Sequence, residues 1–198
     1  RGWDAWGVAV GPEPLEHQAL LCAGGLDTTR RHHVLCRRLT HWLYRDAERA
    51  EVALEWTLPA SPLRLDALVT RVSGERVGLD FTVSSPYAAS NLRARASRPL
   101  LDRLEDRKRA HYASAVASLV PATSFVPFAV LTTGLLGPAA RAAIRTQAGA
   151  YASHRGVSLA TAEHRLTNMV TFTVIRLVAY HVLIRRPGYL TIDPELGL

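Results

Sequence analysis

Lysine is all but missing from this chain: of 24 basic residues, 23 are Arg and one, Lys108, is Lys. Cysteine is almost as scarce. Cys22 and Cys36 are the only two, too few for a disulfide framework, which excludes a small secreted scaffold held by bridges. No apolar run follows a basic head at the N-terminus, so no secretory signal is read there. The chain opens on Arg1 rather than Met, and a piece of a longer chain is expected. No unbroken stretch reaches the ~20 apolar residues of a membrane span. The most apolar one, 169–184, is interrupted by Arg176 and His181 and reads as a buried helix.

What is present fits one globular domain, or one domain with a short appendage. There are 198 residues, 48% hydrophobic and 21% charged, enough for a sizeable core and unlike a disordered chain. A formal charge of +7 points to an anionic partner, nucleic acid first and an anionic membrane surface second. A net-basic protein without a polyanion partner is the third reading. The dominance of Arg fits a GC-rich coding sequence, and it makes Lys108 informative, since Lys is retained where a compact ammonium is needed rather than a planar fork.

Residues 1–25 are loop-like, with Gly7, Gly11, Pro12, Pro14 and Gly24-Gly25. A helix is predicted to start behind Asp27, Thr28 and Thr29, good N-caps, and to run to about Ala50. Strands follow at 51–58, 63–72 and 76–84, the last two joined around Ser73-Gly74. Pro86 ends the third strand. A helix at 98–119, a strand at 124–132, a helix at 139–154 and a long helix from the Ser158 cap to about Arg186 complete the chain. The fold class expected is α/β: a mixed sheet of these four strands, flanked by helices, with a long C-terminal helix.

Asp66 and Asp80 sit among apolar neighbours on the predicted hairpin, with 13 residues between them. A carboxylate there costs free energy unless paired or metal-bound. Hairpin geometry lets both converge on one cation such as Mg²⁺, which prefers such oxygens. Thr82 shares the face of Asp80, two residues on. Lys108 falls seven residues after Leu101 and four after Leu104, on the stripe that faces the sheet. From there its ammonium reaches the space above Asp80, to orient water or offset phosphate charge. The competing reading puts Lys108 on a solvated face with Glu105, Asp106, Arg107 and Arg109, and Tyr112 in the core. Glu55 lies between apolar residues of the first strand, either as a further acid of the site or on an exposed edge.

Taken in order, Arg31-His32, Arg64-Leu65-Asp66, the gap to Asp80-Phe81-Thr82-Val83, Lys108 with Tyr112, and Pro127-Phe128-Ala129-Val130 make a pattern. It resembles the restriction-endonuclease-like, or PD-(D/E)XK, domain that follows the reverse transcriptase in non-LTR retroelements and related polyproteins. The likeness covers about residues 16–150. Leu65 and Arg64 stand where that family has Pro and Lys. The upstream Cys/His cluster is reduced to His17 and Cys22, which with His32 and Cys36 make a candidate zinc set. The alternative is that both Cys are buried small hydrophobes.

The resemblance implies a metal-dependent DNA endonuclease that nicks target DNA for integration. Asp66, Asp80 and the Phe81 carbonyl would hold Mg²⁺ or Mn²⁺. Lys108, with Glu55, would serve the attacking water, and Arg31, His32, Arg64, Thr82 and Tyr112 would meet the DNA. Expected organisation is a loop-rich segment 1–27, a nuclease-like core 28–156 and a helical extension 157–198. The expected partners are DNA and other domains of a reverse-transcriptase polyprotein, in the nucleus and without a membrane. The alternatives are a decayed module that binds nucleic acid or a protein, and a purely structural module.

Overall fold

The computed structural model describes residues 25–46, 48–88, 91 and 100–184. Helix α1 (Gly25–Thr40) runs into a wider, π-helical stretch, His41–Asp46. Strands β1 (Glu51–Thr57), β2 (Arg64–Thr70) and β3 (Arg76–Ser84) follow, then α2 (Leu100–Ala117), β4 (Thr123–Leu131), α3 (Pro138–Arg155) and α4 (Leu159–Ile184). The sheet has the order β1-β2-β3-β4. Its first two pairings are antiparallel, and β4 joins β3 in parallel. The helix α2 between them supplies the crossover that a parallel pair requires. The chain is therefore α/β, with a mixed sheet between helices.

Alternation along β3 and β4 divides the two faces. Val77, Leu79 and Phe81, with Phe128 and Val130, enter the principal core beneath α1, α3 and α4. Phe81 and Phe128 are register partners with ring centroids 5.0 Å apart, worth about 0.5–1.5 kcal/mol beyond the area they bury. The opposite face carries α2, through Leu101 and Leu104 on Ala129 and Leu131, and through Tyr112 on Leu58, Leu65 and Leu119. Expected as an extension beyond residue 156, α4 contributes Ala162, Leu166, Val170, Val174 and Leu177 to the principal core. It starts where expected: the Ser158 hydroxyl accepts the Thr161 amide, an N-cap bond.

Helix α1 ends earlier than its sequence pattern predicts. Leu35, Leu39 and Leu43 are all buried, so the apolar spacing runs unbroken into the wider turn, while α-helical geometry stops at Thr40. Helix α3 begins without a side-chain cap of its own at Gly137. Glu105 reaches across from α2 instead, both carboxylate oxygens 3.0 Å from the Ala139 amide. A Cβ on Gly137 would lie 2.8 Å from Glu105 Cδ, so only glycine leaves room for this cap.

Candidate active site

The sheet opens at one place. The β2–β3 ladder stops at Ala67↔Leu79, and the β1–β2 pairing skips Glu55 and Asp66. Glu55 has φ +54°, a left-handed conformation that costs a non-glycine residue on the order of 1–2 kcal/mol. Beside it β2 changes face. Leu65 packs with Tyr112 on the α2 side, and its Cδ1 comes within 2.7 Å of where a Cβ on Gly78 would stand. Ala67, two residues on, belongs to the opposite core. Asp66 occupies the turn-over point, and its Oδ2 accepts the Phe81 amide at 2.6 Å. A strand residue directs N–H and C=O to the same neighbour, so the Phe81 carbonyl also faces this opening, while its ring stays in the core.

Asp66 and Asp80 approach the opening from its two sides. Asp66 Oδ1 accepts from His32 Nε2 of α1 at 2.9 Å. Asp80, 3% exposed, faces α2. Its Oδ1 is 2.9 Å from the Tyr112 hydroxyl, and its Oδ2 is 2.7 Å from Lys108 Nζ. The Lys108 ammonium thus meets a buried carboxylate oxygen at charge-assisted hydrogen-bond distance. Burial pushes the Asp80 carboxyl above its ordinary value; Lys108 opposes the shift, and the nearby charge of Asp66 adds to it. The Tyr112 hydroxyl also lies 2.7 Å from the Arg64 carbonyl, so its one proton is shared between two acceptors. Burial, then the Asp80 charge, raises it above the usual phenol range.

His32 is the hub on the other side. Its hydrogen bond to Asp66 holds its pKa above the ordinary 6.5 against the opposing effect of burial. Cys36, one helical turn on, places Sγ 3.4 Å from His32 Nε2. Burial raises the thiol far above its usual range, and the surrounding carboxylates raise it further. The ligand atoms of His32, Cys36 and Asp66 all lie within 4.8 Å of one another. Bonds of about 2.0–2.3 Å to a tetrahedral ion put neighbouring ligand atoms roughly 3.3–3.6 Å apart, so this group has the spacing to hold a metal ion.

The remaining sequence-predicted residues are placed as follows. Glu55 pairs with His33 at 3.0 Å and Arg64 at 2.6 Å, so the guanidinium expected at the DNA is engaged by a carboxylate. Thr82 Oγ1 is buried and has no hydrogen-bond partner among the described residues. Tyr112, also expected at the DNA, is 5% exposed and turned inward to Asp80. Its ring also packs on Leu58, Leu65 and Leu119. Arg31 lies on α1, but its side chain is outside the described residues, as are His17 and Cys22 of the candidate zinc set. Of that set the structure brings His32 and Cys36 together, and it adds Asp66, which spacing along the chain did not suggest. The readable signal was His32 and Cys36 four residues apart on one helix face. No helix among the described residues is long and apolar enough to cross a membrane.

In comparisons with known proteins, the chain matches no family model and no curated sequence.

Proposed function

We propose that the chain is a metal-dependent DNA endonuclease domain with a restriction-endonuclease-like core, the nicking component of a retroelement polyprotein that contains a reverse transcriptase. The observation that carries this reading is the trio at the sheet opening: Asp66 on the Phe81 amide, Asp80 on the next strand, and the Lys108 ammonium 2.7 Å from Asp80. The donor set fits a hard divalent cation. Two carboxylates on neighbouring strands and a backbone carbonyl beside them are the hard oxygen donors such an ion takes. Asp66, Asp80 and the Phe81 carbonyl would hold Mg²⁺ or Mn²⁺, which when bound polarises a phosphodiester oxygen as a Lewis acid.

The protein's own groups supply the rest. Tyr112 and the Phe81 amide hold the two carboxylates in place. The Lys108 ammonium orients the attacking water and offsets charge that builds on the phosphate. Glu55 acts at one remove, by fixing His33 and Arg64 beside the opening. A nuclear location follows from a chromosomal target.

The test is nicking of supercoiled plasmid in Mg²⁺ by the parent chain and by Asp80→Ala. Parent nicking that the variant loses supports the reading; equal cleavage by both removes Asp80 from the site. A parent that binds DNA and never nicks it returns the decayed, nucleic-acid-binding module. One observation favours that second reading: Lys108 already neutralises Asp80, and His32 already engages Asp66. For the metal itself, His32 and Cys36 favour Zn²⁺ as the ion that competes for Asp66, since imidazole and thiolate suit it better than Mg²⁺.

A further inference from the structure

The His33–Glu55 pair separates the site from a second concave feature. Val34 follows His33 and Leu54 precedes Glu55, and both line a groove of about 470 Å³ between α1, the wider turn and the edge strand β1. Its apolar floor is completed by Trp42 and Val52, and Leu54 is 41% exposed. Its walls are Arg37, Arg38, His41 and Arg45. Past Arg45 the surface continues into a second hollow lined by Arg49 and the acidic Glu51.

The wider turn explains the row of cations. Along an α-helix, an i,i+4 row drifts by about 40° per step. A π-helical turn takes more residues per revolution and swings the next step back. Arg37, His41 and Arg45 therefore stay beside one groove, while Leu39 and Leu43 remain in the core.

We propose that this groove seats a single-stranded stretch of nucleic acid, its phosphates on Arg37, Arg45 and Arg49 and its bases against Trp42 and Leu54. Charge complementarity selects a polyanion, and the floor selects the strand state. A duplex presents phosphates and leaves an apolar floor unused, whereas unpaired bases bring faces that stack on aromatic and apolar side chains. The inference deepens the nuclease reading by naming where a strand leading to Asp66 would lie, yet its test needs no cleavage.

The experiment uses the full chain carrying Asp80→Ala, with a labelled single-stranded oligonucleotide of about 20 nucleotides and the matching duplex, followed by anisotropy across a salt series. Single strand should bind at least 10-fold more tightly than duplex. Adding Arg37→Ala and Arg45→Ala should weaken it about 10-fold or more. It should also lower the slope of log K against log salt by roughly 1.4, or about 0.7 per lost phosphate contact. Both arginines are exposed, so an unchanged melting temperature confirms a folded variant. Trp42→Phe should lose part of the affinity for the single strand and keep the salt slope. Unchanged affinity and slope in the arginine variant overturn the proposal, as does equal or tighter binding of duplex. A parent that never nicks plasmid but passes these tests loses the nuclease reading alone.

Discussion

Asp66 Oδ2 stands 2.6 Å from the amide nitrogen of Phe81, in the place a β2 carbonyl would take if the β2–β3 ladder ran on past Ala67↔Leu79. A carboxylate thus completes the sheet's hydrogen bonding at its opening. The Asp66 carboxylate is thereby fixed on the backbone of the residue that follows Asp80. Four consequences can be measured.

Lys108 is expected to be irreplaceable by Arg in catalysis. Its ammonium is a compact point charge 2.7 Å from Asp80, and a guanidinium is wider and stays protonated. Lys108→Arg should keep the fold and DNA affinity and lose roughly 10²–10³ in nicking rate, the scale of one electrostatic contact at a reacting centre. Lys108→Ala combined with Thr82→Lys should recover part, because Thr82 lies two residues after Asp80 on β3 and shares its face. Near-parental cleavage by Lys108→Ala alone removes Lys108 from the mechanism.

Stability should be greater on the acid side of neutrality. His32 titrates above its ordinary 6.5 in the folded chain, and Asp80 and Glu105 above 3.8 and 4.5. Each raised group binds its proton more tightly when folded. The His32 contribution is full below 6.5 and is lost as pH rises through its folded value. The two carboxylates oppose folding increasingly as pH rises above their ordinary values. The melting temperature should therefore fall between about pH 6 and about pH 8, and His32→Asn should flatten most of that slope. A melting temperature that climbs over this interval contradicts the assignment.

Zn²⁺ should inhibit Mg²⁺-dependent nicking by taking Asp66 together with His32 and Cys36. Cys36→Ser removes the thiolate and should raise the inhibitory Zn²⁺ concentration about 10-fold or more, the usual cost of a perturbed metal ligand shell. Equal Zn²⁺ sensitivity in parent and variant would show that the three residues do not act as a metal site.

Gly137→Ala should destabilise the fold by about 1–3 kcal/mol, read from the urea midpoint, because the new methyl displaces the Glu105 carboxylate that caps α3. Glu105→Gln keeps an acceptor and should cost less. A neutral Gly137→Ala would mean that α3 does not depend on this cap.

Much of this architecture was legible before any coordinates. β3 spans the residues expected of it, 76–84, since the Ser73-Gly74 turn and Pro86 bound an apolar run. Lys108 falls beside Asp80 because i, i+4 and i+7 positions share a helix face, and that rule needs only the sequence. The end of α1 was not legible. Leu39 and Leu43 keep their spacing while the backbone changes from an α-helix to a wider turn, and periodicity does not report which hydrogen-bond pattern carries it.

Which residues are apolar, where Gly and Pro break the elements, and that Asp66, Asp80 and Lys108 lie on paired strands and a facing helix were determined by the sequence alone. Those are local properties of residue type and spacing. Only the tertiary structure decided that β2 turns over at Asp66, that His32 and Cys36 meet it there, and that Glu55 binds His33 and Arg64. Alternation assumes an unbroken strand. A left-handed residue at Glu55 breaks that assumption, and the side-chain partners on the far side depend on how helix and sheet pack across distant parts of the chain.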